Sequence, residues 1–454
     1  MLHSTLMRPA VLLILFLLAS APLPAEVVSD SVRSALTSSD RVRVIISLRE
    51  PERSPRKPGA WIAEVRAEQD DVLARRHPDS FALLERWDAI PAIAAEIGAR
   101  EIESLHSDPD VLKVDLDEGG SGGLAQSIPL IKGDLVRGRG FTGRGVVVAV
   151  LDTGIDTTHP DLHDAIVAEQ CFCRNSNGTG CCPNGLTEQS GPGAGADDHG
   201  HGTNVSGIIA SSGQVAPMGV APGVKLVAVK VMDRFNSFNA SSQIVSGLNW
   251  LIMNRPDVRV VNMSLGTNAR YTGACDNVTA FTQAFASAIN TLRNRGVIVF
   301  ASTGNDQSPI DIEAPACIEK TVAVAAVYDS NVGQSTAFCT DATTAPDKVT
   351  CFSNTSATLD LLAPGAPITS SGRGGRTSTF HGTSQASPHA AAAAAVLLEI
   401  NALLTPDQIE DAIESTGIPV VDARNGLAFP RLDLDAAARL VTPPPPARRR
   451  AARR

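Results

Sequence analysis

Residues 380–400 read Phe-His-Gly-Thr-Ser-Gln-Ala-Ser-Pro-His, six alanines and then Val-Leu-Leu-Glu-Ile. The small residues around Gly382 predict a tight turn, and the alanines predict a helix that packs closely against its neighbours. Such a turn holds the Ser384 hydroxyl outward on a buried support. A serine hydroxyl is inert at neutral pH unless a base accepts its proton and a third group orients that base. A catalytic role for Ser384 therefore requires a histidine and a carboxylate in similarly shaped stretches.

The carboxylate candidate follows an apolar run. Residues 145–151 are mostly β-branched, which predicts a strand covered on both faces, and Asp152 comes directly after it. Open α/β sheets place their chemistry at the carboxyl ends of strands. The base candidate is His201, which glycines flank just before a helix of small residues.

With Asp152, His201 and Ser384 in this order, the chain resembles the subtilisin-like serine peptidases, or subtilases. The resemblance covers roughly Gln126 to Leu440. It implies that Asp152 orients the base, that His201 is the general base and that Ser384 is the nucleophile. Taken singly, the aspartate and the serine could each cap a helix and the histidine could be a packed core residue. The agreement of three motifs in sequence and order favours the catalytic interpretation.

Two more stretches match the family. Residues 296–301 predict a buried strand leading to Asn305, in a segment similar to the one whose asparagine helps to form the oxyanion hole. Residues 261–266 resemble the strand that pairs with the substrate backbone. The resemblance therefore implies substrate-binding roles for two sets of residues: Ser264, Leu265 and Gly266, and Ser302, Thr303 and Gly304.

Some positions depart from the family pattern. Asn204 stands where a second histidine is common, Gln385 follows the nucleophile where methionine is usual, and His381 replaces a frequent Asn or Ser. None of these changes removes a catalytic atom, so they bear on specificity rather than on reaction class.

The remaining periodicity of this region predicts an α/β fold. Strand and helix patterns alternate along it, which predicts a doubly wound, mostly parallel sheet with helices on both faces. The predicted strands also include residues 225–231, 258–263, 321–327 and 359–363, and the predicted helices are residues 241–253, 280–295, 384–400 and 405–415.

A small α+β domain is expected before this sheet. Residues 41–48 and 111–116 show strand patterns, residues 89–105 show helical apolar spacing, and the charged residues 52–76 predict a long loop or mobile insert. Residues 107–114 resemble the end of subtilase propeptides. The resemblance implies that residues 26–123 form a propeptide that caps and inhibits the enzyme, and an N-terminal domain retained for life is the alternative.

The two ends of the chain and one joint complete the domain prediction. The apolar run after Arg8 is typical of a secretory signal peptide over residues 1–25, with an uncleaved anchor as the alternative. The acidic and glycine-rich residues 117–123 predict an exposed joint before a peptidase domain over residues 124–440, whose start resembles a mature subtilisin N-terminus. The prolines and arginines of residues 441–454 predict a disordered tail.

Eight cysteines, an even number in a chain with a signal peptide, favour disulfides. Four of them share one loop, where a nested pairing is our hypothesis and a thiolate metal cluster is the alternative. Eight cysteines allow 105 patterns, and the pairing we favour is Cys171–Cys182, Cys173–Cys181, Cys275–Cys317 and Cys339–Cys351.

The resemblance also implies a structural calcium ion, although no cofactor for the chemistry. Gln126 and Asp161 match residues that help to hold Ca²⁺ in many subtilases. The loop that should supply the other ligands, residues 211–218, is altered and contains Pro217. The alternative is that Asp161 caps a turn and Gln126 is a surface amide.

These observations predict a secreted serine endopeptidase made as a self-processing zymogen. Its expected partners are protein or peptide substrates and its own propeptide, and we expect a monomer without a membrane span. A net charge of -9 gives no broad footprint for nucleic acid. The alternatives are an inactive binding protein with the same fold and an esterase that uses the same triad.

Overall fold

The computed structural model describes residues 27–49, 58–86, 91–116, 124–175 and 177–443. The chain divides into two compact units, the first ending at Gly120 and the second beginning at Ser121. The predicted signal peptide, the joint at 117–123 and the tail from residue 444 lie outside the described residues. Within the described ranges, no helix combines the length and hydropathy needed to cross a membrane.

The first unit is an antiparallel sheet with helices. Its helices are α1 (Asp30–Ala35), α2 (Pro58–Ala74) and α3 (Glu101–His106), and its strands are β1 (Arg41–Leu48), β2 (Phe81–Arg86), β3 (Ala92–Gly98) and β4 (Val111–Leu116). The strand order is β2-β3-β1-β4, with every neighbouring pair antiparallel. The predicted strands at 41–48 and 111–116 are confirmed.

Two predictions for this unit were wrong. Residues 92–98 form β3 rather than part of a helix, because Ile93, Ala95 and Ile97 alternate into the core, while Ala92 and Ala94 on the other face are also apolar and obscure the period of two. Residues 58–74 form α2 rather than a loop. Among the α2 side chains that the structure describes, the buried ones are Val65, Gln69 and Val72, at helical spacing, and the glutamine donates its side-chain N–H to the carbonyl of Ala92. A polar residue at the centre of the buried face concealed the pattern.

The described residues of the second unit form fourteen strands. Those of its large sheet are β5 (Val147–Asp152), β6 (Ile166–Phe172), β7 (Glu188–Ser190), β8 (Lys225–Lys230), β9 (Val258–Met263), β11 (Ile298–Ser302), β13 (Val322–Tyr328), β14 (Leu361–Ala366), β17 (Ile418–Val421) and β18 (Ala428–Arg431). Two small sheets pair β10 (Arg270–Tyr271) with β12 (Ile312–Glu313) and β15 (Ile368–Gly372) with β16 (Arg376–Phe380).

The helices of this unit cover both faces of the large sheet. They are α4 (Leu124–Leu130), α5 (Gly133–Gly138), α6 (His201–Ala210), α7 (Ser241–Asn254), α8 (Ala280–Asn294), α9 (Thr383–Ile400), α10 (Pro406–Ser415) and α11 (Leu434–Val441). One core contains Val148 and Val150 of β5 with α6 and α9, and the other contains Ala149 and Leu151 with α7 and α8. Strands buried on both faces explain the continuous apolar runs of the sequence.

The large sheet has the order β17-β18-β14-β13-β11-β9-β5-β8-β6-β7, with antiparallel pairs only at its edges, between β6 and β7 and between β17 and β18. The fold class predicted for this region, a doubly wound and mostly parallel sheet, is therefore confirmed. β5 lies between β8 and β9, so the strand order reverses across it. Ligand sites in open α/β sheets lie at such a reversal, beyond the carboxyl ends of the strands.

All eight cysteines lie in described residues and all are paired. The bonds are Cys171–Cys182, Cys173–Cys181, Cys275–Cys317 and Cys339–Cys351, which confirms the predicted connectivity. The alternative of a thiolate metal cluster in the first loop is excluded, because its four sulfurs are consumed in disulfides.

Candidate active site

Asp152 is the last residue of β5 and is fully buried. Its Oδ1 lies 2.8 Å from Nδ1 of His201 and also accepts the backbone N–H of Thr153 at 2.7 Å. A buried carboxylate in these contacts fixes both the orientation and the tautomer of the imidazole. The nitrogen that donates to Asp152 is Nδ1, so Nε2 is left as the proton acceptor.

His201 is the first residue of α6, and the helix begins against the end of β5. A Cβ atom at Gly202 would collide with the carbonyl oxygen of Gly154 and would lie 3.0 Å from the Asp152 side chain. Only glycine permits this close approach. The glycine after the histidine therefore sets the distance between the base and the carboxylate.

Asp197 holds the loop before α6 in place, a role that the sequence did not reveal. One carboxylate oxygen accepts the Thr153 hydroxyl at 2.9 Å and the Gly200 N–H at 2.8 Å, and the other accepts the N–H and hydroxyl of Thr203. The same Thr153 hydroxyl accepts the N–H of Gly202. Asp197 thus joins the end of β5 to both sides of His201, and its position four residues before the histidine was the available signal.

The environment of His201 favours its charged form. Burial lowers its pKa, but the charge of Asp152, the hydrogen bond to that carboxylate and the charge of Asp197 together raise the pKa above the ordinary imidazole value. An imidazolium at this position is therefore stabilised by groups already in place.

Ser384 lies in the first turn of α9, directly after Gly382 and Thr383. Its Oγ donates to the carbonyl oxygen of Ser264 at 3.2 Å, and the Ser264 hydroxyl donates to the carbonyl oxygen of Ser384 at 2.7 Å. These two bonds join the serine turn to the segment that follows β9. The hydroxyl hydrogen of Ser384 thus points at Ser264 in the resting structure.

Two residues that depart from the family pattern, Asn204 and Gln385, join the helices that carry His201 and Ser384. Gln385 donates its side-chain N–H to Oδ1 of Asn204 at 3.4 Å, and Asn204 donates to the carbonyl oxygen of Ser378 at 2.8 Å. His201 lies one turn before Asn204, and Ser384 lies directly before Gln385. The two departures from the family pattern therefore complement each other and bring the first turns of α6 and α9 together.

Asn305 follows β11 and is oriented by the turn that carries the serine. Its Oδ1 accepts the N–H of Thr383 at 2.9 Å and the Thr383 hydroxyl at 3.2 Å. Because the amide oxygen is engaged in these bonds, Nδ2 is the atom that can donate to a ligand. Asn305 and Ser384 line the same cleft, which has a volume of about 640 Å³.

A sequence profile of the subtilase family matches residues 143–433. This range includes Asp152, His201, Asn305 and Ser384. The chain belongs to the subtilase family. Subtilisin E from Bacillus subtilis (strain 168) is 33% identical over 358 residues, 77% of this chain and 81% of that protein. The alkaline protease of Alkalihalobacillus alcalophilus is 29% identical over 406 residues, 88% of this chain and 92% of that protein. A crystal structure of a cold-adapted subtilisin-like serine proteinase is 28% identical, covers 64% of this chain and 89% of its own, and has a TM-score of 0.49.

This subtilase is therefore a serine-type endopeptidase, a hydrolase, and the subtilisins that it resembles need no cofactor for catalysis. Among the residues predicted to bind substrate, Ser264, Leu265 and Gly266 line the cleft. Ser302 and Thr303 are buried at the end of β11, where Thr303 accepts a backbone hydrogen bond from Glu313. Gly304 lies beside the Glu313 side chain, in a left-handed conformation with a φ of 105°.

The calcium site predicted at Asp161 does not fit the structure of this subtilase. The Asp161 carboxylate accepts the backbone N–H groups of Gln214 at 2.6 Å, Val215 at 3.0 Å and Ala216 at 2.8 Å. A Ca²⁺ ion requires oxygen ligands, whereas the loop turns amide hydrogens towards this carboxylate. Burial opposes ionisation, but these donors hold the pKa of Asp161 below its usual range. These contacts favour the alternative interpretation, in which Asp161 caps a turn and Gln126 is an exposed amide.

Proposed function

We propose that this subtilase is a secreted monomer that cuts protein or peptide substrates through an acyl-enzyme formed on Ser384. In this proposal His201 is the general base, Asp152 orients it, and Asn305 stabilises the oxyanion. The observation that carries the proposal is the 2.8 Å hydrogen bond between Asp152 and Nδ1 of His201. This bond leaves Nε2 free to take a proton from a serine in the first turn of an adjacent helix.

The reaction begins when the Ser384 hydroxyl turns from the Ser264 carbonyl to Nε2 of His201. The oxygen then attacks the substrate carbonyl while the imidazole takes the proton. The negative charge that develops on the carbonyl oxygen is met by Nδ2 of Asn305 and by the backbone N–H of Ser384, which has no intrahelical acceptor in the first turn of α9. The imidazolium then protonates the leaving amine, and water hydrolyses the acyl-enzyme by the same route.

We also infer that the enzyme is exported and matures by cutting itself. Four disulfides favour an oxidising compartment. Residues 1–25 would direct export, and residues 26–123 would act as the propeptide and intramolecular inhibitor. The division of the chain after Gly120 supports a boundary near the predicted joint.

N-terminal sequencing tests this maturation. Wild-type protein and Ser384→Ala would be purified from a host that lacks other secreted proteases. Wild type should begin within residues 119–126, whereas the alanine variant should begin near Glu26 with its propeptide attached. An alanine variant cut at the same bond would show that another protease performs the processing.

A further inference from the structure

The cleft at Ser384 contains a carboxyl group that none of the motifs assigned. Glu313 is the last residue of β12, and its side chain lines the cleft together with Asn305 and Ser384. Among the described residues that line the cleft, Glu313 is the only one with an ionisable side chain. The remaining described walls carry no ionisable side chain, so Glu313 is the lining residue that can pair with a charged ligand.

The Glu313 side chain occupies a slot between two glycines. A Cβ atom at Gly266 would collide with Oε2 of Glu313, and a Cβ atom at Gly304 would lie 2.6 Å from Oε1. The carboxyl group therefore lies between the segment that follows β9 and the segment that follows β11. Either glycine, replaced by a larger residue, would close the slot.

The backbone holds Glu313 in this position from both sides. Its N–H donates to the carbonyl of Thr303 at 3.0 Å, and the carbonyl of the next residue, Ala314, accepts the N–H of Thr267 at 2.8 Å. The short strand is thus fixed to both walls of the slot. The Glu313 side chain is therefore held at a fixed position relative to both walls.

Glu313 is also part of a small charge cluster. Burial, together with the hydrogen bond to Asp306 and its charge, raises the pKa of Glu313 to about 9. Burial raises the pKa of Asp306, but hydrogen bonds from Glu313 and Asn354 hold this pKa below its usual range. Arg270 contributes opposing positive charge and also forms an ion pair with Asp311. In the absence of substrate, the two carboxyl groups therefore hold one proton and one negative charge between them at neutral pH.

With Ser384 as the nucleophile, a substrate side chain enters the cleft in front of this slot. The carbonyl carbon attacked by Ser384 belongs to the residue on the amino side of the cut bond, and that residue's side chain begins two bonds from this carbon. With the carbonyl oxygen at Asn305, the side chain is directed between the walls of the cleft. The ionisable group that it meets there, among the described residues that line the cleft, is the Glu313 carboxyl group.

We propose that Glu313 is a specificity-determining residue that selects lysine or arginine on the amino side of the cut bond. The inference rests on the proposed function of Ser384 as nucleophile. The aliphatic stem of such a side chain lies along the uncharged walls, and its cation pairs with the carboxylate. On binding, the proton held by the acid pair is released to solvent, so that the site keeps an ion pair. A leucine or phenylalanine side chain would instead cover the carboxyl group without a partner, which is unfavourable.

Peptides that differ only at this position test the proposal. We expect kcat/KM for lysine and arginine to exceed that for leucine by about tenfold or more. Glu313→Gln keeps the shape and removes the group that becomes a carboxylate when a cation binds, so the ratio of lysine to leucine should fall by about tenfold or more. Glu319→Gln, an exposed residue six positions further along the chain, should leave this ratio unchanged.

Asp306→Asn separates the two members of the acid pair. The lysine preference should persist in this variant, because Glu313 then ionises without an adjacent anion. Loss of the preference in Asp306→Asn together with its retention in Glu313→Gln would overturn the assignment to Glu313. A wild-type preference for leucine or phenylalanine would overturn the proposal directly.

A fluorophosphonate probe keeps this test separate from that of the proposed function. If the probe labels Ser384 while the cleavage preference is apolar, the inference about Glu313 fails and the function of Ser384 stands. If the probe does not label Ser384, the proposed function fails and the inference falls with it.

Discussion

Replacement of Asp161 by alanine should destabilise the second unit by about 3–5 kcal/mol. The carboxylate accepts three backbone N–H groups from residues 214–216. A buried donor left without a partner costs about 1–3 kcal/mol, and a hydrogen bond to a charged acceptor contributes about 1.5–3 kcal/mol. Three donors at about 1–1.5 kcal/mol each give the expected range, since water entering the loop would offset part of the loss.

Thermal unfolding of inhibitor-blocked enzyme, followed by near-UV circular dichroism, measures this loss. At about 2 °C per kcal/mol for a domain of this size, Asp161→Ala should lower Tm by about 6–10 °C. The matched control is Asp164→Ala, whose side chain is 90% exposed and which should leave Tm nearly unchanged. The same scan with and without a chelator tests whether a metal ion, rather than the N–H groups, holds the Asp161 carboxylate.

Low pH should weaken the hydrogen bonds that the Asp161 carboxylate accepts. The pKa of Asp161 is lower in the folded protein than its usual value. Its contribution to stability is therefore complete above the unfolded pKa of about 4 and is lost as the pH falls through the folded pKa. If a chelator lowers the wild-type Tm by as much as 6–10 °C, and Asp161→Ala has no further effect, a cation holds this loop and our reasoning about the N–H groups is refuted.

Three further predictions concern the chemistry and the disulfides. Asn305→Ala should lower kcat by about 10²–10³ with little change in KM, a range established for subtilisin itself rather than derived from this geometry; a loss confined to KM would contradict an oxyanion role. The kcat/KM of an uncharged peptide should rise with pH as His201 loses its proton, because only neutral His201 can accept one. The midpoint of this rise should lie above the ordinary imidazole pKa of about 6.5, since the pKa of His201 is raised. A midpoint below that value would argue against the environment assigned to His201. Removal of the Cys275–Cys317 bond, which closes a separation of 42 residues, should cost about 4 kcal/mol of unfolding free energy, measured by denaturant titration, and an unchanged midpoint would refute the estimate.

The residues proposed for catalysis could be predicted from sequence because each adjoins a strongly patterned element. Asp152 ends a β-branched strand, His201 begins a helix of small residues, and Ser384 precedes a run of alanines. Buried parallel strands and closely packed helices restrict composition so strongly that the pattern is visible in one chain.

The missed features depend on contacts between distant segments. Asp161 is bound by a loop fifty residues later, and nothing in its own stretch distinguishes a carboxylate that accepts N–H groups from one that binds calcium. Glu313 lies beyond the Asn305 motif and reaches the cleft only because the chain folds back as β12. In α2, the buried Gln69 interrupts the apolar face. The reason for its burial, a hydrogen bond to the carbonyl of Ala92, is visible only in the folded unit.

Labelling by a fluorophosphonate probe shows whether Ser384 is the nucleophile. Wild type and variants would all be cut at the joint by added wild-type enzyme, which is removed before the probe is applied, and the modified residue would be located by peptide mapping and mass spectrometry. We expect one adduct, on Ser384, that forms much more slowly in His201→Ala and at the wild-type rate in His163→Ala, which alters a half-exposed histidine. Absence of an adduct on Ser384, or equal labelling rates in wild type and His201→Ala, would contradict this expectation.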